Sequence, residues 1–304
     1  MSPAALWRAI RGIHPRAFID ALVTYPRFIG TIKPGLLGKG EAELQARLAA
    51  LAAAWRPCDL DVPIGKTIVV IAPHPDDETI GVGGFLLRHR GHSKLHIINI
   101  FNGDGGGQLD GRPWKNDAAY TQELVSRRRT ELRQVAARLG ISSLNHLGLA
   151  DGSSGTRADA ARLRAMLDAL EPDVILLPWF LDGQPDHRIT NVLYASANAA
   201  RECLVLGYEV WSLLQPNAKL DISNELSEKL QLVEIYRTQT ATVDYRSFAA
   251  GLAQVRAFQQ PVRPDRGGAV EAFVALPNRD YCDLVCGLYG TIDKLTQAGQ
   301  RLAE

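Results

Sequence analysis

One-sided charge is missing from this sequence. Lysine and arginine number 34, aspartate and glutamate 33, and the formal net charge of the 304 residues is +1. So even a balance gives no global electrostatic case for nucleic acid or a polyanionic substrate. Cysteine is sparse: Cys58, Cys203, Cys282 and Cys286 form no C-x-x-C pair. That argues against a disulfide framework and against a cysteine-built structural zinc site. It reads instead as buried free thiols in a reducing, cytoplasmic compartment. No apolar run approaches the roughly 18–20 residues that cross a bilayer, so no spanning helix is expected. The N-terminus has no signal-peptide layout, because Arg8, Arg11, His14 and Arg16 interrupt its apolar residues. There is no G-x-S-x-G elbow, and no cysteine falls in an expected strand-end loop, which disfavours a serine or cysteine hydrolase.

What is present suits a folded protein, with 46% hydrophobic and 22% charged residues. The segment 4–32 mixes Trp7, Ile10, Phe18, Leu22, Tyr25 and Phe28 with several arginines and the single acid Asp20. Such a segment allows a peripheral membrane contact through residues 1–40. Pro15 and Pro26 cut the helical run, which favours a helical extension packed on the core or on another subunit. Residues 41–55 suit a helix that Pro57 and Pro63 end. The division expected is an N-terminal helical extension over 1–62 and a main domain over 63–304. Oligomeric state is not readable.

From residue 66 the pattern changes. KTIVVIA (66–72), LHIINIF (95–101), 143–147 and DVILLP (173–178) read as short buried strands. Helices are expected over about 78–89, 121–139, 158–170 and 189–203. Further strands are expected at 207–214 and 269–276, and helices at 225–239 and 244–259. Alternation of this kind predicts an α/β, Rossmann-like, mostly parallel sheet with helices on both faces. Ligands in such folds sit beyond the carboxyl ends of the strands. Gly81, Gly83 and Gly84 do not follow G-x-G-x-x-G spacing and come after an acidic cluster, so close helix–sheet packing explains them better than a dinucleotide site. The run Asp104-Gly105-Gly106-Gly107 reads as a substrate-gating loop or a plain connection.

The polar clusters fall where that rule puts ligands. Pro73-His74-Pro75-Asp76-Asp77-Glu78 follows the first long strand. Acids before a helix can simply cap it and meet its positive end. Capping alone does not call for a histidine between two prolines followed by two aspartates. Imidazole and carboxylate together suit a divalent metal, zinc above all, and catalytic zinc takes three protein ligands plus a water. His74 and one of the aspartates supply two. Of the seven histidines, His89 and His92 end a helix, and His96 and His146 lie in strands. His187, in Leu181-Asp182-Gly183-Gln184-Pro185-Asp186-His187 after DVILLP, is the best third ligand. Asp186 or Asp182 would orient a ligand, as carboxylates behind metal-bound histidines often do. Glu78 is given only a role in orienting the loop or capping the helix.

HPDDE after one buried strand with PDH after another resembles the LmbE-like or PIG-L deacetylase family. Asn102-Gly103-Asp104, Arg128 with Glu131 and Leu139-Gly140, and Leu147 to Gly152 are similar to it too. So are Tyr208-Glu209-Val210-Trp211, Asp221-Ile222 and Glu271-Ala272-Phe273, so the likeness spans about 66–276. The resemblance implies a metal-dependent N-deacetylase acting on an N-acetylglucosamine-type sugar or glycoconjugate. It implies His74, Asp77 and His187 as ligands of Zn2+ or another divalent metal, Asp76 as general base, and Arg128 and Asp151 as sugar contacts. Many members carry a histidine three positions before the distal ligand. Here that position is Gln184, which donates a hydrogen bond to the substrate but is no proton donor at neutral pH. Protonated Asp76 is then left to serve the leaving amine. An amidase acting on a non-sugar N-acyl compound and a non-catalytic sugar-binding protein of the same fold are the alternatives.

Overall fold

The computed structural model describes residues 57–112, 115, 117–197, 202–259 and 268–292. The helices expected before residue 56, and the membrane contact through 1–40, lie outside the described residues. Eight strands form one sheet: β1 (Cys58–Asp59), β2 (Thr67–Ala72), β3 (Lys94–Phe101), β4 (Ser143–Leu149), β5 (Val174–Pro178), β6 (Leu204–Tyr208), β7 (Ala218–Asp221) and β8 (Val270–Pro277). The helices are α1 (Asp77–His89), α2 (Ala118–Leu139), α3 (Arg157–Leu170), α4 (Pro185–Ala197), α5 (Leu226–Val233), α6 (Arg237–Thr240), α7 (Tyr245–Gln259) and α8 (Asn278–Tyr289). None among the described residues is long and apolar enough to cross a membrane.

The strand order is β1-β7-β8-β6-β5-β2-β3-β4. From β2 the chain winds outward through β3 and β4, then crosses back to lay β5 and β6 on the other side. All of these pairings are parallel. Only β8 runs antiparallel, between β6 and β7, which makes the sheet mixed. The reversal of winding between β2 and β5 is the topological switch point, where a crevice opens at the carboxyl ends of the strands.

β2 shows why the strands must be apolar throughout. Ile68, Val70 and Ala72 pack on one face with α1, α2, α5 and α7. Val69 and Ile71 pack on the other with α3, α4 and α8. A strand buried on both faces reads as a continuous hydrophobic run, with no alternation. Local signals fix the flanking helices. The Asp117 side chain accepts from Tyr120 N at 2.7 Å, Thr156 and Asp159 form a capping box, and Gly140 ends α2 at φ 66°.

α1 is two short helices in series, broken at Val82. The break frees N–H groups inside the element, and the Glu271 carboxylate of β8 accepts from Gly84 N at 2.7 Å and Phe85 N at 2.8 Å. Lys229 Nζ of α5 bonds the same carboxylate at 2.7 Å. A Cβ on Gly84 would fall 2.6 Å from Ile222, and one on Gly81 2.3 Å from the Tyr208 ring. These glycines serve close packing, as their spacing suggested.

Several element boundaries differ from expectation. Residues 209–214 leave the sheet as a loop, because the Glu209 carboxylate turns back to accept from Leu214 N at 2.7 Å and is clasped by Arg256. The helix expected over 225–239 is split into α5 and α6. β7 and α8 have no counterpart in the sequence reading; β7 is a four-residue strand between a proline-containing turn and a helix, too short for periodicity to show. Cys58–Asp59, on the extension side of the 62/63 boundary, pairs with β7. The four cysteines are free, but Cys58 is exposed and the other three half-buried, so they are not core thiols.

Glu271 and Lys229 are both buried beneath α1. Glu271→Ala would strand the lysine charge and two backbone donors. We expect it to cost about 3–5 kcal/mol of stability, read from urea unfolding midpoints. A loss under about 1 kcal/mol would show that the kink is held by something else.

Candidate active site

The switch point places two loops side by side. β2 and β5 are hydrogen-bonded neighbours, with Val70 opposite Leu176. The residues that follow each strand therefore emerge together: His74 to Glu78 after β2, and Asp182 to His187 after β5. His187 is not a loop residue, as the sequence suggested. It lies in the first turn of α4, which begins at Pro185 and not near Ile189. Proline suits a first helical position, and the Gln184 side-chain oxygen receives His187 N at 3.0 Å.

His74, Asp77 and His187 are all buried, and one ligand atom from each lies within 4.8 Å of the others. Asp77 Oδ2 is 3.3 Å from His74 Nδ1 and 3.2 Å from His187 Nε2. Yet both ring nitrogens of His187, a 0% exposed residue, lack a hydrogen-bond partner. The His74 contact is a hydrogen bond, whereas the His187 contact has the distance of one but not the direction. The buried His187 nitrogens are thus open to another partner. The donor set fits a divalent cation, and neutral imidazole with carboxylate is what zinc takes. Behind the ligands stand the expected carboxylates. Asp186 Oδ2 is 3.0 Å from His74 Nε2, and Asp182 Oδ1 is 3.4 Å from His187 Nδ1. A second cluster, His74, Asp151 and Asp186, is also compact. Its carboxylates already accept backbone N–H groups, and no unpartnered nitrogen marks it.

Adjacent aspartates have opposite environments. Burial alone would raise the pKa of Asp77, but His187 and His74 hold it well below the usual carboxylate range. For Asp76 burial prevails; against it stands the Arg128 guanidinium, and Asp77 adds repulsion, so the carboxyl is pushed up to about 8. Asp76 occupies the N-cap position of α1 but makes no capping bond. Its φ of 143° is a glycine-like conformation, a strain of about 1–3 kcal/mol for a side-chain-bearing residue. Glu78 holds it there. Glu78 Oε2 accepts from Asp76 N at 3.1 Å, while Oε1 accepts from the Thr79 and Tyr236 hydroxyls.

Arg128 clamps the loops together. Its Nη1 donates to Gly103 O at 3.1 Å and Gly106 O at 3.2 Å, and its Nη2 to Pro75 O at 3.1 Å and Asp76 Oδ2 at 3.4 Å. A Cβ on Gly103, at φ +72°, would meet the guanidinium at 2.6 Å, so glycine admits the clamp. Asp151 accepts from Gly103 N and Gly105 N, each at 2.8 Å. The glycine loop is thus pinned from two sides. Arg128, Asp151 and Gln184 all line a cavity of about 440 Å³ with His74, Asp76, Asp77 and Asp186.

That cavity has walls the sequence reading missed: Trp211 after β6, Gln239 on α6 and Tyr245 at the start of α7. In the sequence Trp211 stands out only as part of the Tyr208-Glu209-Val210-Trp211 stretch of the family resemblance. Nothing local in 225–259 distinguishes Tyr236, Gln239 or Tyr245 from ordinary helix residues. The histidines set aside serve structure: His89, His96 and His146 face Ser93, Ser143 and Asn99.

Residues 69–198 match the family described as PIG-L: GlcNAc-PI de-N-acetylase. The chain is 28% identical over 194 residues to a diacetylchitobiose deacetylase of Thermococcus kodakarensis, covering 57% of this chain and 70% of that one. It is 26% identical over 188 residues to a probable N-acetyl-alpha-D-glucosaminyl L-malate deacetylase 2 of Bacillus subtilis, covering 57% and 83%. Among solved structures, the N,N'-diacetylchitobiose deacetylase from Pyrococcus horikoshii superposes with a TM-score of 0.58 at 22% identity, over 71% of this chain and 85% of that one. At that identity the likeness is one of fold.

The acidic surroundings also make the histidines bind protons. Burial opposes charge on His74, but Asp186, Asp77 and Asp151 outweigh it and raise its pKa to about 10. His187 is raised to about 9, with Asp77 and Asp182 overcoming burial. Folded pKa values above the unfolded value near 6.5 mean that, without metal, this contribution to stability is full below about pH 6.5 and lost as pH climbs through 9–10. Protons and a cation compete for the same nitrogens. Adding Zn2+ to chelator-treated protein should therefore raise Tm more at pH 8.5 than at pH 6. An equal rise at both values would remove the histidines from the binding group.

Proposed function

Residues 69–198 carry a PIG-L family domain, and from that premise we propose that the chain is a zinc-dependent N-deacetylase of an N-acetylglucosamine-type sugar or glycoconjugate. The observation that carries the reading is a compact His74/Asp77/His187 group at the floor of the cavity, with His187 unpartnered, beside a buried carboxylate, Asp76, that is not part of it. His74, Asp77 and His187 would hold the metal. Bound there, a divalent ion would polarise the amide carbonyl and lower the pKa of water from 15.7 toward about 7.

The remaining steps belong to the chain's own groups. Asp76 takes a proton from the attacking water as its oxygen bonds to the carbonyl carbon. The same proton then passes to the amine nitrogen as the C–N bond breaks. Water and amide are consumed, acid and amine are released, and Asp76 returns to its starting state. A buried carboxyl group that takes up and returns one proton serves both halves of that cycle. Gln184 accepts from His187 N through its oxygen and bonds the Asp186 carboxylate through its amide, and an amide N–H transfers no proton. Arg128 and Asp151 meet the substrate as part of the cavity wall while holding the glycine loop in place.

The sugar assignment draws on the substrates named for the two relatives, both N-acetylglucosaminyl compounds. Trp211 also fits it: the ring is 50% exposed on the cavity wall and offers an apolar face for a pyranose. Acetate release from a panel of free, lipid-linked and polymeric N-acetylglucosaminyl compounds, beside non-sugar N-acyl amides, tests the substrate class. Turnover of the non-sugar amides alone would replace it.

Asp76→Asn should lower kcat by at least about 10²–10⁴-fold and leave the bound metal unchanged by elemental analysis. His187→Ala should lose the metal itself. A fully active Asp76→Asn enzyme would sink the base assignment, and full zinc content in His187→Ala would remove that ligand.

A further inference from the structure

We propose that Tyr245 is a catalytic hydrogen-bond donor, its hydroxyl meeting the carbonyl oxygen of the scissile amide as that oxygen gains negative charge. The proposal rests on the deacetylase reading above and adds a group to it.

The tyrosines of this chain make the case by contrast. Six are buried among the described residues. Five have partnered hydroxyls. Tyr120 contacts Leu109 N and Gly107 O, Tyr194 reaches Asn278 Oδ1, and Tyr208 reaches Ile71 O. Tyr236 reaches Glu78, and Tyr281 reaches Asn191 Oδ1. Tyr245, 8% exposed, makes no side-chain hydrogen bond. Buried hydroxyls are nearly always satisfied, so an exception calls for an explanation. The Tyr245 oxygen is not among the sealed, unpartnered atoms. Its residue lines the same cavity as His74, Asp76, Asp77 and Gln184. A hydroxyl that is unpartnered and unsealed on a cavity wall is open to whatever enters.

Placement and rigidity agree. Tyr245 starts α7 and its ring stands edge-on to Trp211, at 5.9 Å between centroids and 78° between planes. The Trp211 backbone N–H is bonded at 3.0 Å to Asp182 Oδ2, and Asp182 in turn faces His187. The ring is thus referenced to the metal group through two contacts. After burial, the charges of Asp76 and Asp77 are what most raise the phenol pKa, which puts the hydroxyl in the field of both carboxylates. Competing donors are committed. Arg128 spends its terminal N–H groups on loop carbonyls and Asp76. Gln239 gives its amide to Gly106 O and Thr238 Oγ1.

A preorganised donor aimed at a developing oxyanion stabilises the transition state more than the ground state, because it costs nothing to orient when the charge appears. The proton stays on tyrosine throughout, and no bond is made or broken at its oxygen.

Tyr245→Phe removes only an oxygen that has no partner in the protein. The test uses the metal-loaded enzyme on an N-acetyl substrate that the wild type turns over. We expect kcat to fall by about 10²–10³-fold, the effect of deleting one such donor, with KM, metal content and Tm unchanged. A phosphonamidate mimic of the tetrahedral species should bind the variant more weakly by a similar factor, while the amine product binds both forms alike. A variant with kcat within about twofold of wild type overturns the role, as does an equal loss of affinity for mimic and product. Wild-type protein inert towards every N-acyl amide overturns the deacetylase reading and this role with it.

Discussion

Asp77 Oδ2 sits between two imidazoles, 3.3 Å from His74, which it bonds, and 3.2 Å from His187, whose ring nitrogens stay unpartnered. This shared carboxylate oxygen is the constraint around which the upper end of the molecule is arranged. It requires β2 and β5 to be neighbours, because His74 and Asp77 follow one and His187 follows the other. It requires α4 to begin at Pro185, so that His187 falls in a helical first turn and not in a free loop. Three ionisable groups packed this closely are costly to bury without a compensating charge. Protons on the histidines supply it, and under the proposed function a cation would supply it instead.

The layer outside the ligands is built from carboxylates that do two things at once. Asp182 faces His187 while holding Gln184, Trp211 and Ser212 by their backbone N–H groups. Asp186 faces His74 while holding Gly152. Asp151 gathers Gly103 and Gly105. Each acid thus ties a different strand-end loop to the centre, and Arg128 joins the loop that Asp151 holds to the one after β2. Loops normally carry the mobility of an α/β fold. Here their backbones are fastened to buried side chains, so the cavity's shape is set by the same residues that set its electrostatics.

How much of this could be read in advance follows from distance along the chain. The HPDDE stretch was legible because its chemistry is compressed into five residues behind an apolar run, and His187 because its own motif stands behind a second run. Buried strands were legible for the same reason, since two-sided burial forces a continuous hydrophobic word. β7 was not, being four residues with one charged residue at each end of its Lys219–Asp221 stretch. Arg128 was visible only through resemblance, and what resemblance does not show is that its donors go mostly to backbone carbonyls. Tyr236 lies 158 positions from its partner Glu78, and Tyr245 is equally remote from Asp76. An α7 side chain finds the cavity only once α5 and α7 have packed against α1 and α6 against α2, and no periodicity in 225–259 encodes that.

The pair Asp76 and Asp77 shows why such distant supports matter. Two adjacent carboxyl groups would ordinarily behave alike, and the first would cap the helix. Glu78 prevents this by taking the Asp76 backbone N–H, holding φ at 143° and turning the side chain away from the helix end. Tyr236 and Thr79 hold Glu78 in turn. One carboxylate is thereby kept ionised between histidines, and its neighbour is kept buried and proton-hungry beside Arg128. The local strain is what gives two consecutive carboxyl groups such different surroundings. Under the proposed function, with Gln184 unable to carry a proton, that difference would leave Asp76 to receive the proton from water and to deliver it to the amine. A single residue serving both steps needs the substrate oxygen to be stabilised by other groups, and the Tyr245 hydroxyl on the same cavity wall is proposed as one of them.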